Sequence, residues 1–133
     1  MGSVKIKASI ALGLAAVALA GCGGSSGGKQ QVESAFHTLT QQLAAHNPAA
    51  CNGFTERYAL ANTGQSNYQS ALAICRRHIT GGTVSVPGGL RIVKTKVSGN
   101  SATIKAIAPG QGTGIFHFLN VSGHWKIDSV TAK

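Results

Sequence analysis

Few side chains in this 133-residue chain can do chemistry: three carboxylates, five histidines and three cysteines. The carboxylates are Glu33, Glu56 and Asp128. Three acids are too few for a calcium cage, and they leave little for paired-carboxylate catalysis. His117 and Asp128 fall opposite each other if the chain turns tightly at Ser122-Gly123, and a carboxylate that orients an imidazole serves a general base. A cross-strand ion pair on a solvated face accounts for the same pairing without catalysis. His124, at that turn, is expected in solvent. Cys51 and Cys75 belong to no Cys-x-x-Cys pattern, and no His-x3-His accompanies them, so zinc is not indicated. Gly110-Gln111-Gly112-Thr113-Gly114 is too turn-like for a phosphate loop. The sequence therefore implies no catalytic residue, no metal and no cofactor.

The third cysteine, Cys22, stands in a different setting. Met1–Lys7 carries two positive charges, Lys5 and Lys7, and Ala8–Leu19 is an apolar run of twelve residues. Such a run is short for a membrane span but suits the hydrophobic region of a signal peptide. It ends in Leu19-Ala20-Gly21-Cys22, which resembles the lipobox of bacterial lipoproteins. The resemblance implies a signal peptide over 1–21 and a diacylglycerol thioether on Cys22, which becomes the new N-terminus. It also implies a cell-membrane protein anchored by palmitate-like chains on the extracytoplasmic side. Two or three acyl chains anchor stably where one binds only reversibly. The competing reading is an ordinary secretory signal with an incidental cysteine. Residues 22–29 then hold the lipidated Cys22 and a Gly/Ser-rich tether, with Gly23–Gly28 a flexible coil.

Export bears on the other two cysteines. An oxidising compartment permits one bridge, Cys51–Cys75, with a reactive thiol pair as the alternative. Closing that loop stabilises a fold by about 3 kcal/mol in the chain-entropy picture. The net charge is +9, and loss of Met1–Gly21 leaves +7. Arg57, Arg76, Arg77, Arg91, Lys94, Lys96, Lys105 and Lys126 are scattered and not interleaved with aromatics, so a nucleic-acid partner is not expected. A solvated surface, or attraction to anionic lipid or cell-wall polymer, accounts for the charge.

The elements that must position these residues follow from periodicity. Gln30–Ala45 places Val32, Ala35, Phe36, Leu39 and Leu43 on one helical face. His46-Asn47-Pro48 ends that helix, and Asn47 caps a second one that buries Cys51, Phe54 and Tyr58. Asn62–Gln65 breaks it. Ser66 caps a third helix, with Tyr68, Leu72, Cys75 and Ile79 on one stripe and Gly81-Gly82 as its stop.

After Gly82 the period becomes two. Thr83–Val86 is expected as a short strand. Leu90–Ser98 and Ser101–Ala108 flank a tight turn at Gly99-Asn100. That hairpin puts Val93, Thr95, Val97, Ala102, Ile104 and Ala106 on one face, with Ile92 and Ile107 on the other. Gly114–Val121 and His124–Ala132 form a second hairpin, with Phe116, Phe118, Trp125 and Ile127 inside. Its outer face takes Ile115, His117, Leu119, Val121, Lys126, Asp128 and Val130. The linking Pro109–Thr113 brings Ala106 near Phe116. The fold class is α+β, with three N-terminal helices covering a curved antiparallel sheet of about four to five strands.

Three helices, then a meander ending in Gly123-His124-Trp125-Lys126-Ile127-Asp128, resemble the nuclear transport factor 2-like cone. More narrowly, residues 30–133 resemble small exported actinobacterial lipoproteins of that superfamily. These share a cysteine bridge between helices, matching Cys51 and Cys75, and a Gly-x-Trp-Lys-Ile ending. The resemblance implies a cone whose interior, from Phe36, Phe54, Tyr58, Tyr68, Phe116, Phe118 and Trp125, is either core or ligand cavity. Enzymes of the superfamily, such as ketosteroid isomerases and polyketide cyclases, place an Asp there, often with His or Tyr, and neither Glu33 nor Glu56 maps onto that position.

The functional expectation is a non-catalytic, lipid-anchored envelope protein binding a partner or a small hydrophobic ligand. The alternatives are an enzyme using the cone interior, or an interaction module. Ile92, Ile107, Ile115, Leu119 and Val121 lie among Lys94, Lys96, Lys105 and Lys126 on the outer face. That mixture implies a weak homodimer or a docking surface for an acidic partner.

Overall fold

The computed structural model describes residues 25–132. The expected signal peptide, Cys22 and the first two glycines of the expected tether lie outside the described residues. Helix α1 spans Ser25–Ala44, a 3-10 turn spans Pro48–Gly53, α2 spans Glu56–Thr63 and α3 spans Tyr68–Thr80. Strands β1 (Arg91–Ser98), β2 (Ser101–Ala108), β3 (Gly112–Val121) and β4 (His124–Ala132) follow. They pair in sequence order as one antiparallel four-stranded sheet. The α+β architecture, helices first and a curved meander after, is the one expected from the sequence.

Helix α1 buries Val32, Phe36 and Leu39, the expected stripe. It starts five residues before Gln30, so Ser25–Gly28, read above as coil, are helical. The reason is tertiary. Gly28 lies against β1, where a Cβ would come within 3.3 Å of Val97 Cγ1. Contact with the sheet outweighs the cost of about 1 kcal/mol that glycine adds to a helix.

The second helix is broken in two. Asn47 caps as expected, its side chain accepting from the Ala49 N–H at 2.9 Å. Only a 3-10 turn follows, because the chain must then meet the sheet. Gly53 sits so close to α1 that a Cβ would approach Leu39 Cδ1 to 2.9 Å. Phe54 bridges Ile127 on β4, and the Thr55 N–H donates to the Ile127 carbonyl at 2.9 Å. Thr55 then caps α2 by accepting from the Tyr58 N–H. Asn67, not Ser66, caps α3, accepting from the Ser70 N–H at 2.9 Å. The segment Thr83–Val86 is not a strand. Thr83 instead gives its N–H and hydroxyl to the His78 carbonyl at the end of α3.

Two bulges revise the faces of the sheet. In β1 the register slips between Ile92 and Lys94. Ile92 therefore faces Ala106 across the ladder and packs on the core, while Val93 is 49% exposed. These two residues exchange the places expected of them. In β4 Phe118 pairs with Ile127 but His117 pairs with Ser129, leaving Asp128 as the extra residue. The direct His117–Asp128 opposition is lost, and Val130, opposite Phe116, moves to the inner side. Between the hairpins Ala106 pairs with Gly114 and Ile104 with Phe116, so Phe116 stays on the core face, two pairs along the ladder from Ala106. Bulges bend and twist a strand, which curves this sheet over the helices.

Cys51 and Cys75 are joined, Cα atoms 6.0 Å apart, tying the 3-10 turn to α3. The buried core runs from Val32 to Ile127 and the bridge lies within the same span. Residues 25–132 thus contain a complete core.

Candidate functional site

Between the sheet and the α2–α3 pair lies an apolar cavity of about 620 Å³. That volume is within the range of small-molecule sites. Phe54 forms one wall and stacks on Tyr58 of α2, with ring centroids 5.1 Å apart. Ile74, Cys75, His78 and Ile79 of α3 form a second wall, and Phe116, Ile127 and Val130 of the sheet form the floor. Leu43 and Val84 complete the apolar lining. Each element has a local reason to be there. The Phe54–Thr55 break turns Phe54 inward, and the β4 bulge brings Val130 round to the same side.

Most polar groups on the walls are engaged. Asn62 donates to the Tyr58 carbonyl at 2.8 Å and Thr63 to the Ala59 carbonyl at 2.7 Å. His78 Nδ1 lies 3.4 Å from the Thr83 hydroxyl. No described residue hydrogen-bonds to the Tyr58 hydroxyl. Burial pushes the pKa of that phenol above its ordinary value, so it stays protonated and able to donate at neutral pH.

The carboxylates are elsewhere. Glu33, on α1, accepts from the Thr95 hydroxyl. Glu56 is exposed in the first turn of α2. Asp128 accepts from the Thr55 hydroxyl at 2.7 Å and from Arg57, whose guanidinium also reaches its backbone carbonyl. The Arg57 hydrogen bond, supported by Thr55, holds the Asp128 carboxyl below the usual carboxylate range, and His117 adds a weaker attraction. The same bond raises the pKa of Arg57. Asp128 therefore fastens β4 to the start of α2 rather than activating His117.

The expected lining residues divide into three groups. Phe54, Tyr58 and Phe116 line the cavity. Phe36 and Phe118 are closed core, with Phe36 edge-on to Phe116 at 5.0 Å. Tyr68 packs against the core cluster without reaching the cavity, and Trp125 floors a separate open groove beside α1. That groove, about 970 Å³, is edged by Gln30, Gln31, Thr38 and Gln42 of α1 and by His124 and Lys126 of β4. Sequence reasoning missed Ile74, His78, Val84 and Val130. Ile74 and His78 stand four apart on α3, a signal that was legible; the place of Val130 depends on a bulge that was not.

No family model matches the chain, and no curated protein matches it. Among solved structures it is similar to a candidate scytalone dehydratase from Novosphingobium aromaticivorans. The two are 18% identical, with a TM-score of 0.45, over 78% of this chain and 83% of that one.

Proposed function

We propose that this is a lipid-anchored protein of the extracytoplasmic membrane surface that holds a small hydrophobic ligand in the cavity beneath its sheet. The carrying observation is the cavity itself: apolar walls, no carboxylate, and the unengaged Tyr58 phenol as a donor. A ligand that fits is an apolar molecule with one hydrogen-bond acceptor. Anchoring is supported by the charge, apolar run and Leu19-Ala20-Gly21-Cys22 ending at the N-terminus.

Native mass spectrometry of protein gently extracted from membranes tests the ligand. An apolar species that co-purifies with the wild type and is lost when Val130→Trp fills the cavity is expected. Empty protein, with no uptake of an apolar fluorescent probe that Val130→Trp abolishes, overturns the reading. For the anchor, Cys22→Ser should leave the protein unlipidated and either unprocessed or released. An enzyme working in the cone is the alternative. It would have to use Tyr58 and His78, the titratable side chains at the cavity, and a Tyr58→Phe variant that loses turnover while keeping the ligand would favour it.

A further inference from the structure

The outer face of the sheet, away from the cavity, carries Lys94 and Lys96 on β1, Lys105 on β2 and Lys126 on β4. Lys94 and Lys105 are direct cross-strand partners. Like charges opposed on a sheet destabilise it, so this arrangement works against the fold that displays it. Asp128 lines a shallow pocket of this face with Lys96 and His117, but it is already bound to Arg57. Glu33 is taken by Thr95, and Glu56 opens α2.

Aliphatic side chains share the face with the lysines. Ile115 pairs with Lys105 and Leu119 with Lys126. Leu119 is 38% exposed and Val121 41%. Edge lysines commonly keep sheets from pairing with one another, and that accounts for Lys94, Lys96 and Lys126 on the two edge strands. It does not account for Lys105, on an interior strand, or for exposed aliphatics beside the cations.

We infer that this face docks on an anionic phospholipid bilayer, lysines toward the headgroup phosphates and Leu119 and Val121 toward the acyl boundary. A second copy of the chain fits worse, since it sets lysines against lysines. The site of attachment favours the membrane as well, and here the inference rests on the Cys22 anchor. Gly28 lies against Val97, a core-side residue of β1, so α1 begins at the edge strand that carries Lys94 and Lys96 on its other side. Cys22 is three residues before Ser25, a reach of at most about 11 Å when extended. A domain held that close meets the bilayer with whichever face is charged for it.

The test uses the unlipidated domain, residues 25–133, whose core is complete. It should co-sediment with vesicles of phosphatidylglycerol and phosphatidylcholine, not with phosphatidylcholine alone, and should be released by high salt. Each lysine near such a surface contributes about five-fold in affinity, so Lys94→Gln with Lys105→Gln should weaken binding roughly 25-fold, while the relief of their repulsion leaves the melting temperature no lower than the wild type's. In lipidated full-length protein reconstituted in the anionic vesicles, amine labelling should spare these four lysines relative to Lys29. No binding, equal binding to both vesicles, salt-sensitive self-association in place of binding, or an undiminished double variant overturns the inference. If the domain does not bind but the full-length protein stays with membranes through Cys22, docking falls and the anchor stands. If the domain binds and the full-length protein carries no lipid, the anchor falls and docking stands.

Discussion

Where α1 crosses the sheet, Val32, Phe36 and Leu39 are at most 3% exposed, and Phe36 meets Phe116 and Phe118 edge to face. Where α2 and α3 face the same sheet, Phe54, Tyr58 and Val84 remain half-buried and Val130 is 40% exposed around an open cavity. The two halves are built from the same kinds of residue. They differ in how the helix reaches the strands. Helix α1 is a single twenty-residue rod that lays a continuous stripe on the sheet. The second half is interrupted at Phe54–Thr55, capped anew, and held to α3 by a covalent bridge. Close packing stabilises one half, and a clamp holds the other without filling it.

The largest expected difference lies in the packed half. Phe36→Ala should cost about 3–5 kcal/mol in chemical denaturation, as for buried aromatic truncations. If it costs no more than the truncation of a cavity-wall residue such as Val130→Ala, the two halves are not packed differently. The clamp comes next. Replacing both Cys51 and Cys75 by Ala should lose about 2–5 kcal/mol. Freshly isolated protein should show no free thiol at these positions after denaturation, and two alkylatable cysteines there would remove the clamp from the comparison.

A smaller effect is expected at Asp128, which links α2 to β4. Its carboxyl is held below the ordinary range when folded, so its contribution is complete at neutral pH, above the unfolded value. The contribution is lost as pH falls through the folded pKa. Asp128→Asn should therefore melt below the wild type at neutral pH, and the two curves should converge in acid. A gap that persists undiminished at about pH 2 would mean that charge is not what Asp128 contributes. The smallest stability change belongs to the cavity wall. Tyr58→Phe should leave stability within about 0.5 kcal/mol. Ligand or probe affinity should nevertheless fall roughly 2- to 12-fold, the worth of one hydrogen bond.

Much of this arrangement was legible residue by residue. The Val32–Phe36–Leu39–Leu43 spacing announced α1 and its buried face. Gly99-Asn100 and Ser122-Gly123 announced both hairpins, and β2 and β4 run between the limits expected of them. The cysteine pair was legible because two thiols in a chain expected to be exported admit one bridge. Among the candidate site residues, the aromatic set was recognised but not its partition into core, cavity wall and groove floor. His117 and Asp128 were paired by counting from a turn, a count that one bulge invalidates.

Periodicity, turn chemistry and capping act over a few residues, so they decided the order of the elements and which side chains look inward within each. The positions of the bulges, the break at Phe54–Thr55 and the early start of α1 depend on groups distant in the chain. The backbone of Thr55 finds its partner at Ile127, its hydroxyl finds Asp128, and Gly28 finds Val97. Those long-range contacts alone decided that Val130 faces inward, that Asp128 is spent on Arg57, and that the space under half of the sheet stays open.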